Sequence, residues 1–298
     1  MKKRPPLLKK GDTIGITSTA RKISKHELEF AIQFLKQNGF KTKLSSCIGM
    51  EDHQFSGSDQ VRIDGFNQLL NDNEVKAILC ARGGYGSVRI VDDLDWQQLK
   101  KNPKWICGYS DVTILHSRIN HLEYQSLHST MPVNFESNSK KALTSFLDSL
   151  TGKSFSMQAP NNNLNREGIA EGELVGGNLS ILYSTLGSQD QLKTKNKFLF
   201  IEDLDEYLYH IDRMMQALKR AGMLKDLAGL VVGGMSDMND NTIPFGKTAE
   251  EIINETVEEY NYPVAFNFPI GHLDDNQTVM LGAKYSLLVN SNNSILKT

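Results

Sequence analysis

The chain has 298 residues, enough for two domains or one large one, and either can bury a substantial core. With 39% hydrophobic residues, 23% charged residues and a formal net charge of -2, it reads as an ordinary soluble globular protein without the electrostatic footprint of a nucleic-acid or anionic-membrane binder. The basic start from Met1 to Lys10 has no apolar run behind it, no stretch reaches transmembrane length, and Cys47, Cys80 and Cys107 lack CxxC spacing, so the expectation is a cytoplasmic chain with reduced core thiols and neither a disulfide framework nor a zinc site.

Residues 13–18 read as a short strand. Residues 25–38 carry Leu28, Ile32, Phe34 and Leu35 at helical spacing and are closed by Gly39, and 41–44 is a second strand. A helix over 62–71 presents Ile63, Phe66, Leu69 and Leu70. The apolar strand 77–80 enters the loop Arg82-Gly83-Gly84-Tyr85-Gly86, and 88–94 is expected to return as a helix. Residues 104–107 form a buried strand that meets a helix starting near Val112. Such alternation implies βαβ units with a parallel sheet, in which ligands sit at the carboxyl ends of the strands. The run around Pro160, Asn161-Asn162-Asn163 and Asn165 is polar and turn-rich, and marks a linker. Beyond it, strands are expected at 172–175, 198–201, 229–233, 264–268, 278–281 and 285–289, with helices at 179–186, 208–221 and 248–260. The fold class is therefore α/β: an amino-terminal parallel-sheet βαβ domain at 1–152, a linker at 153–170, and a second, mixed α and β carboxy-terminal domain at 171–298.

Gly108-Tyr109-Ser110-Asp111 lies where a strand turns into a helix, a bend that lifts a hydroxyl to the sheet's edge beside free N–H groups of the first helical turn. Ser110 is a candidate nucleophile, or else a helix cap, because serine is favoured there. For the glycine loop, one reading is that one of its glycine N–H groups supplies half of an oxyanion hole and the N–H after Ser110 the other half. A phosphate cradle fits less well, because neither a complete G-x-G-x-x-G nor a Walker lysine is present, and a tight turn without ligand is the third reading.

A serine nucleophile needs a base, and the base needs an orienting group. Of seven histidines, His116 and His121 lie on the helix after Ser110 and project elsewhere, His26 and His53 sit in polar stretches, and His210 starts a helix. His128 ends a strand and could line the site. His272, in Pro269-Ile270-Gly271-His272, follows a buried strand in a glycine-containing loop and is the best-placed base. Glu202 emerges at the end of the apolar run 198–201 and is the favoured acid, with Glu206 as fallback.

The blocks 77–86 and Gly108-Tyr109-Ser110-Asp111-Val112-Thr113, with Gly11-Asp12-Thr13-Ile14-Gly15-Ile16, Gly176-Gly177-Asn178-Leu179, Ile201-Glu202-Asp203 and Pro269-Ile270-Gly271-His272, together resemble the LD-carboxypeptidases over almost the whole chain. The resemblance implies a serine peptidase with Ser110 as nucleophile, His272 as general base, Glu202 as its partner, and backbone N–H groups of Asp111 and of Gly83 or Gly84 as oxyanion donors. It further implies removal of the terminal D-alanine from murein tetrapeptides in cytoplasmic cell-wall recycling, by a homodimer without metal or organic cofactor. Arg82 is the nearest cationic candidate to grip the substrate carboxylate, and Tyr109 is expected as a second substrate contact. Two departures stand near the cleft: Thr17-Ser18-Thr19-Ala20 replaces an Ala-Pro-Ser type turn, and His128-Ser129-Thr130-Met131-Pro132 replaces a His-Gly-Pro element. A related branch, the microcin-C self-immunity peptidases, uses the same groups on a peptidyl-nucleotide amide.

Overall fold

A computed structural model describes residues 2–298. In chain order the elements are β1 (Thr13–Thr17), α1 (Glu29–Gln37), β2 (Lys41–Leu44), α2 (Asp59–Asn71), β3 (Val75–Cys80), α3 (Trp96–Lys101), β4 (Trp105–Gly108), α4 (Thr113–His121), β5 (Ser126–His128) and α5 (Lys140–Thr151). The second half contributes β6 (Ser156–Pro160), β7 (Gly168–Asn178), α6 (Leu179–Ser184), β8 (Lys197–Leu204), α7 (Leu208–Arg220), β9 (Gly229–Ser236), α8 (Ala249–Thr256), β10 (Val264–Ala265), β11 (Val279–Leu281), β12 (Lys284–Val289) and β13 (Asn293–Lys297).

Two sheets organise these elements. The first has the order β11-β5-β4-β3-β1-β2, and all its neighbours are parallel except β11 against β5. The second, β10-β9-β8-β7-β12-β13-β6, is parallel from β10 to β7 and antiparallel beyond. Every residue of β1 and β4 is buried, as expected of parallel strands covered on both faces. Side chains cap several helices: Ser58 accepts from the Val61 N–H, Ser139 from the Ala142 N–H, and Thr248 with Glu251 forms a reciprocal capping box.

The halves are not independent lobes. One apolar cluster runs from Ile14, Leu79 and Phe135 of the first half to Phe198, Phe200 and Tyr285 of the second. At about 1.5–3 kcal/mol for each fully buried large apolar side chain, this shared core fixes the two sheets against each other. Moreover, β11 comes from the carboxy-terminal half yet extends the first sheet, with Val279 opposite His128. The chain between β10 and β11, which holds His272, is therefore strung from one sheet to the other.

Several elements differ from the sequence expectation. The helix expected over 88–94 is a pair of 3-10 turns, Ser87–Arg89 and Val91–Asp93, the first of which is tied at its start by the Ser87 N–H donating to Asp111 Oδ2. The stretch 153–170 carries β6, whose alternation places only Met157 and Ala159 inward, too short a pattern to stand out among turn residues. The strand expected over 264–268 is paired only at Val264–Ala265, after which the chain leaves the sheet toward His272.

Candidate active site

The nucleophile candidate sits on a bend that L-residues rarely adopt. Ser110 opens the 3-10 turn Ser110–Val112 between β4 and α4 with φ of 62°, a conformation that costs about 1–3 kcal/mol in a residue with a Cβ and is kept only where surrounding structure imposes it. Its side chain caps no helix N–H, so the capping alternative is not what the structure displays. The bend is braced from below by His116, whose Nε2–H donates to the Gly108 carbonyl at 2.9 Å while Nδ1 accepts from the Ser126 hydroxyl at 2.8 Å. Burial pushes this imidazole down to about 3, which keeps it neutral, and the Gly108 carbonyl, which can only accept, sets the tautomer.

The glycine loop approaches the hydroxyl closely. A Cβ built on Gly83 would stand 3.0 Å from Ser110 Oγ, so any larger residue would crowd the nucleophile. Neither Gly83 nor Gly84 donates its N–H to another group among the described residues. Asp111 ties the loop to the bend: it is buried, and its Oδ2 accepts from the Ser87 N–H at 2.8 Å. Burial pushes its carboxyl up, opposed by that hydrogen bond and by Arg62. Arg62, wholly buried, donates to the carbonyls of Thr19 and Gly86 at 2.6 and 2.9 Å and pairs with Asp59, so it holds the loop from behind.

Glu202 ends the apolar run of β8, fully buried, and its Oε2 accepts from His272 Nδ1 at 2.6 Å. Burial alone would raise the Glu202 carboxyl; the His272 charge and its hydrogen bond, with His128 close by, outweigh that and hold it well below the usual carboxylate range. For His272, burial favours the neutral ring, but the facing Glu202 carboxylate wins and the imidazole lies above its ordinary value. Gly271 makes this contact possible. It has φ of +110°, and a Cβ there would meet Glu202 Oε2 at 2.6 Å. The loop is further held by Asn276 Oδ1, which accepts from the Gly271 N–H at 2.9 Å, and by the Ser236 hydroxyl, which donates to the His272 carbonyl at 2.8 Å.

Ser110 and His272 line the same cavity system, two adjoining hollows of about 380 and 260 Å³. The larger is walled by Asn178, Ser180, Asp203, Asp205 and Glu206, and the smaller by Arg82, Gly83, Tyr109 and Asn134. Arg21 borders both. No direct hydrogen bond joins Ser110 Oγ to the imidazole among the described residues. With Glu202 accepting a hydrogen bond from Nδ1–H, Nε2 of His272 is left to accept a proton, which suits it to act as a base on a hydroxyl in this cavity. Tyr109 packs its ring 4.8 Å from that of His272 and donates its hydroxyl to Asn134 Oδ1 at 3.2 Å. A depression of about 780 Å³ elsewhere, bordered by His121, Lys193 and Lys195, gathers no comparable set of groups.

Of the acids weighed from sequence, Glu206 does not reach His272. Its Oε2 pairs with His210 Nδ1 at 2.5 Å and its Oε1 accepts from the Ser180 hydroxyl at 2.8 Å. Asp203 accepts from Asn178 and Ser180, and burial, with Glu202 adding, pushes its carboxyl up to about 6. Arg82 spends Nη1 on Glu27 at 3.3 Å, whereas the exposed Arg21 guanidinium has no ion pair or hydrogen bond among the described residues. Sequence reasoning passed over Arg21 although it follows the carboxyl end of β1, where a parallel sheet presents ligand contacts. It also passed over the bracing roles of His116 and Arg62, which no local pattern signals. No group of three or more His, Cys, Asp or Glu side chains among the described residues is arranged to hold a metal ion.

Residues 14–129 match the LD-carboxypeptidase N-terminal domain, and residues 171–287 match the LD-carboxypeptidase C-terminal domain. The chain belongs to the LD-carboxypeptidase family. It is 34% identical to a probable murein peptide carboxypeptidase of Bacillus subtilis, over 95% of this chain and 91% of that one. The crystal structure of a muramoyltetrapeptide carboxypeptidase from Oxalobacter formigenes superposes with a TM-score of 0.88 at 25% identity, covering 96% of this chain and 98% of that one. A microcin C7 self-immunity protein, MccF, of Escherichia coli is 26% identical over 93% of this chain and 90% of its own. The α/β fold with two sheets is thus the LD-carboxypeptidase fold, and the chain is a hydrolase of a carboxypeptidase family. No helix among the described residues is long and apolar enough to cross a membrane.

Proposed function

We propose that this LD-carboxypeptidase is a serine-type enzyme that hydrolyses the amide releasing the terminal D-alanine from murein tetrapeptides in cell-wall recycling. The observation that carries the reading is the buried Glu202–His272 pair opening onto the same cavity as Ser110, which is held at positive φ beside the glycine loop. In this reading His272 Nε2 takes the Ser110 proton as Oγ attacks the carbonyl carbon. N–H groups of Asp111 and of Gly83 or Gly84 hold the oxyanion. His272 then returns the proton to the departing amine, and water, activated by the same imidazole, releases the acyl group from Ser110.

The two hollows divide the substrate. The smaller, flanked by Arg21 and Arg82, suits the small leaving amino acid with its free carboxylate, and Arg21 is the better grip because its guanidinium is uncommitted. The larger, with Asp203, Asp205 and Glu206, takes the acyl side of the peptide. A cytoplasmic homodimer goes with this reading, and sizing of the purified protein against its 33.4 kDa chain mass checks the second half of it.

The test is incubation with a muramoyl tetrapeptide and, in parallel, with a peptidyl-nucleotide of the kind a self-immunity peptidase cuts, with Ser110→Ala as control. D-Alanine release that requires Ser110 is the expected result. Cleavage of the peptidyl-nucleotide alone would move the chain to the self-immunity branch. Saturable binding without cleavage of either would leave a non-catalytic binding protein.

A further inference from the structure

His128 stands at the end of β5, wholly buried, and neither of its ring nitrogens has a hydrogen-bond partner among the described residues. Glu202 Oε1 is buried and unpartnered in the same way, while Oε2 is held by His272. These complementary groups stand next to each other, with His128 Nε2 3.8 Å from Glu202 Oε1. A buried donor and a buried acceptor left unmade each carry their full desolvation cost, so two of them side by side mark a bond that forms with slight movement. A hydrogen bond at about 2.9 Å needs a closing of only ~0.9 Å. The gap is also too short for a bridging water in line, which would need two such bonds end to end.

The pair joins the two sheets. His128 belongs to the first and Glu202 to the second, and β11, which follows the His272 loop, lies directly opposite His128 in register. His128 is otherwise enclosed by rings: Phe200 edge-on at 4.9 Å, Tyr109 at 5.9 Å and His116 at 6.4 Å. Among these, His116 is neutral and Tyr109 spends its hydroxyl on Asn134, so among the described residues Glu202 is the charged group that stands within ion-pair distance of His128.

We propose that His128 is a positioning residue of the hydrolytic site: its Nε2–H donates to Glu202 Oε1, so that the carboxylate is gripped by one histidine from each sheet. The proposal rests on the serine-peptidase reading above. Held at both oxygens, Glu202 cannot rotate away from His272, and its plane fixes the Nδ1–H tautomer that leaves Nε2 free to act on Ser110. The second donor also shares the carboxylate's charge and thereby moderates its pull on the imidazole of His272. A shift of less than an ångström in the two side chains, within a core that holds the sheets in place, makes the bond and completes the base.

The experiment compares His128→Leu with His128→Gln, which restores an N–H donor near the position of Nε2. Two readouts are followed across pH: D-alanine release, and the rate at which a fluorophosphonate labels Ser110, which needs no peptide. His128→Leu is expected to lower kcat by about 10- to 100-fold with KM within about threefold. It also moves the acid limb of both profiles to higher pH, and His128→Gln recovers most of the rate and the parental profile. If the leucine variant does not fold, His128→Asn, polar but too short to bring a donor to Oε1, replaces it with the same expectation. Parental rates and profiles in the leucine or asparagine variant overturn the proposal, as does an equal loss in the leucine and glutamine variants without any shift in profile. If the parent protein itself is neither labelled at Ser110 nor releases D-alanine, the serine-peptidase reading falls first and takes this one with it.

Discussion

Replacing Glu202 by glutamine keeps the side chain's shape and a carbonyl that can accept from His272 Nδ1–H, and removes the charge. What is lost is the attraction between the carboxylate and the imidazolium that forms when Ser110 gives up its proton. The two groups are joined at 2.6 Å, and Glu202 is fully buried. Taking charge centres about 4 Å apart and an effective dielectric of ~20, that attraction is about 4 kcal/mol. At about 1.4 kcal/mol per tenfold in rate, kcat should fall by roughly a thousandfold. KM should change little, because Glu202 touches no substrate. The assay is D-alanine release from a muramoyl tetrapeptide, with thermal unfolding as a control for the fold. Glu206→Gln should cost less than tenfold, because Glu206 is engaged with His210 and Ser180. A Glu202→Gln enzyme within tenfold of the parent, or a larger loss in Glu206→Gln, would refute the assignment.

Because Glu202 raises the His272 imidazole above its ordinary value of 6.5, the free base accumulates only at higher pH. The acid limb of kcat/KM should therefore rise with pH and have its midpoint above 6.5, and a midpoint below that would show that His272 is not the base. Arg21→Gln should raise KM for the tetrapeptide by about tenfold or more, the value of one charge-assisted hydrogen bond, and Arg82→Gln by less; steady-state kinetics on both variants gives the ranking, and the opposite order would transfer the carboxylate grip to Arg82. Gly271→Ala places a methyl against Glu202 at positive φ. It should cost about 1–3 kcal/mol in urea unfolding and lower kcat as well, whereas an unchanged enzyme would mean that the loop has room the structure does not show.

Much of the architecture was legible because it depends on local pattern. Apolar runs such as 77–80 and 198–201 are parallel strands buried on both faces, and they announce themselves without tertiary knowledge. The places of Ser110 and Glu202 follow from the same logic, since each stands where such a run ends. What did not show was set by contacts distant in sequence. β11 leaves its own half to pair with β5, β6 is an edge strand with two inward residues, and the turns at 87–93 are bent by Asp111 reaching back to Ser87. Arg62 looked like one more polar residue on a helix and is instead buried beneath the glycine loop. His116 faces inward because the strand end at Gly108 offers it a carbonyl, a partner that no spacing along the chain reveals.

The central claim, that one hydroxyl carries the chemistry, is met most directly by Ser110→Ala assayed for D-alanine release, with folding verified by circular dichroism and unfolding. Release at the background rate is expected, from a protein as stable as its parent or more so, since alanine removes no protein hydrogen bond at this position. Turnover close to that of the parent would contradict it.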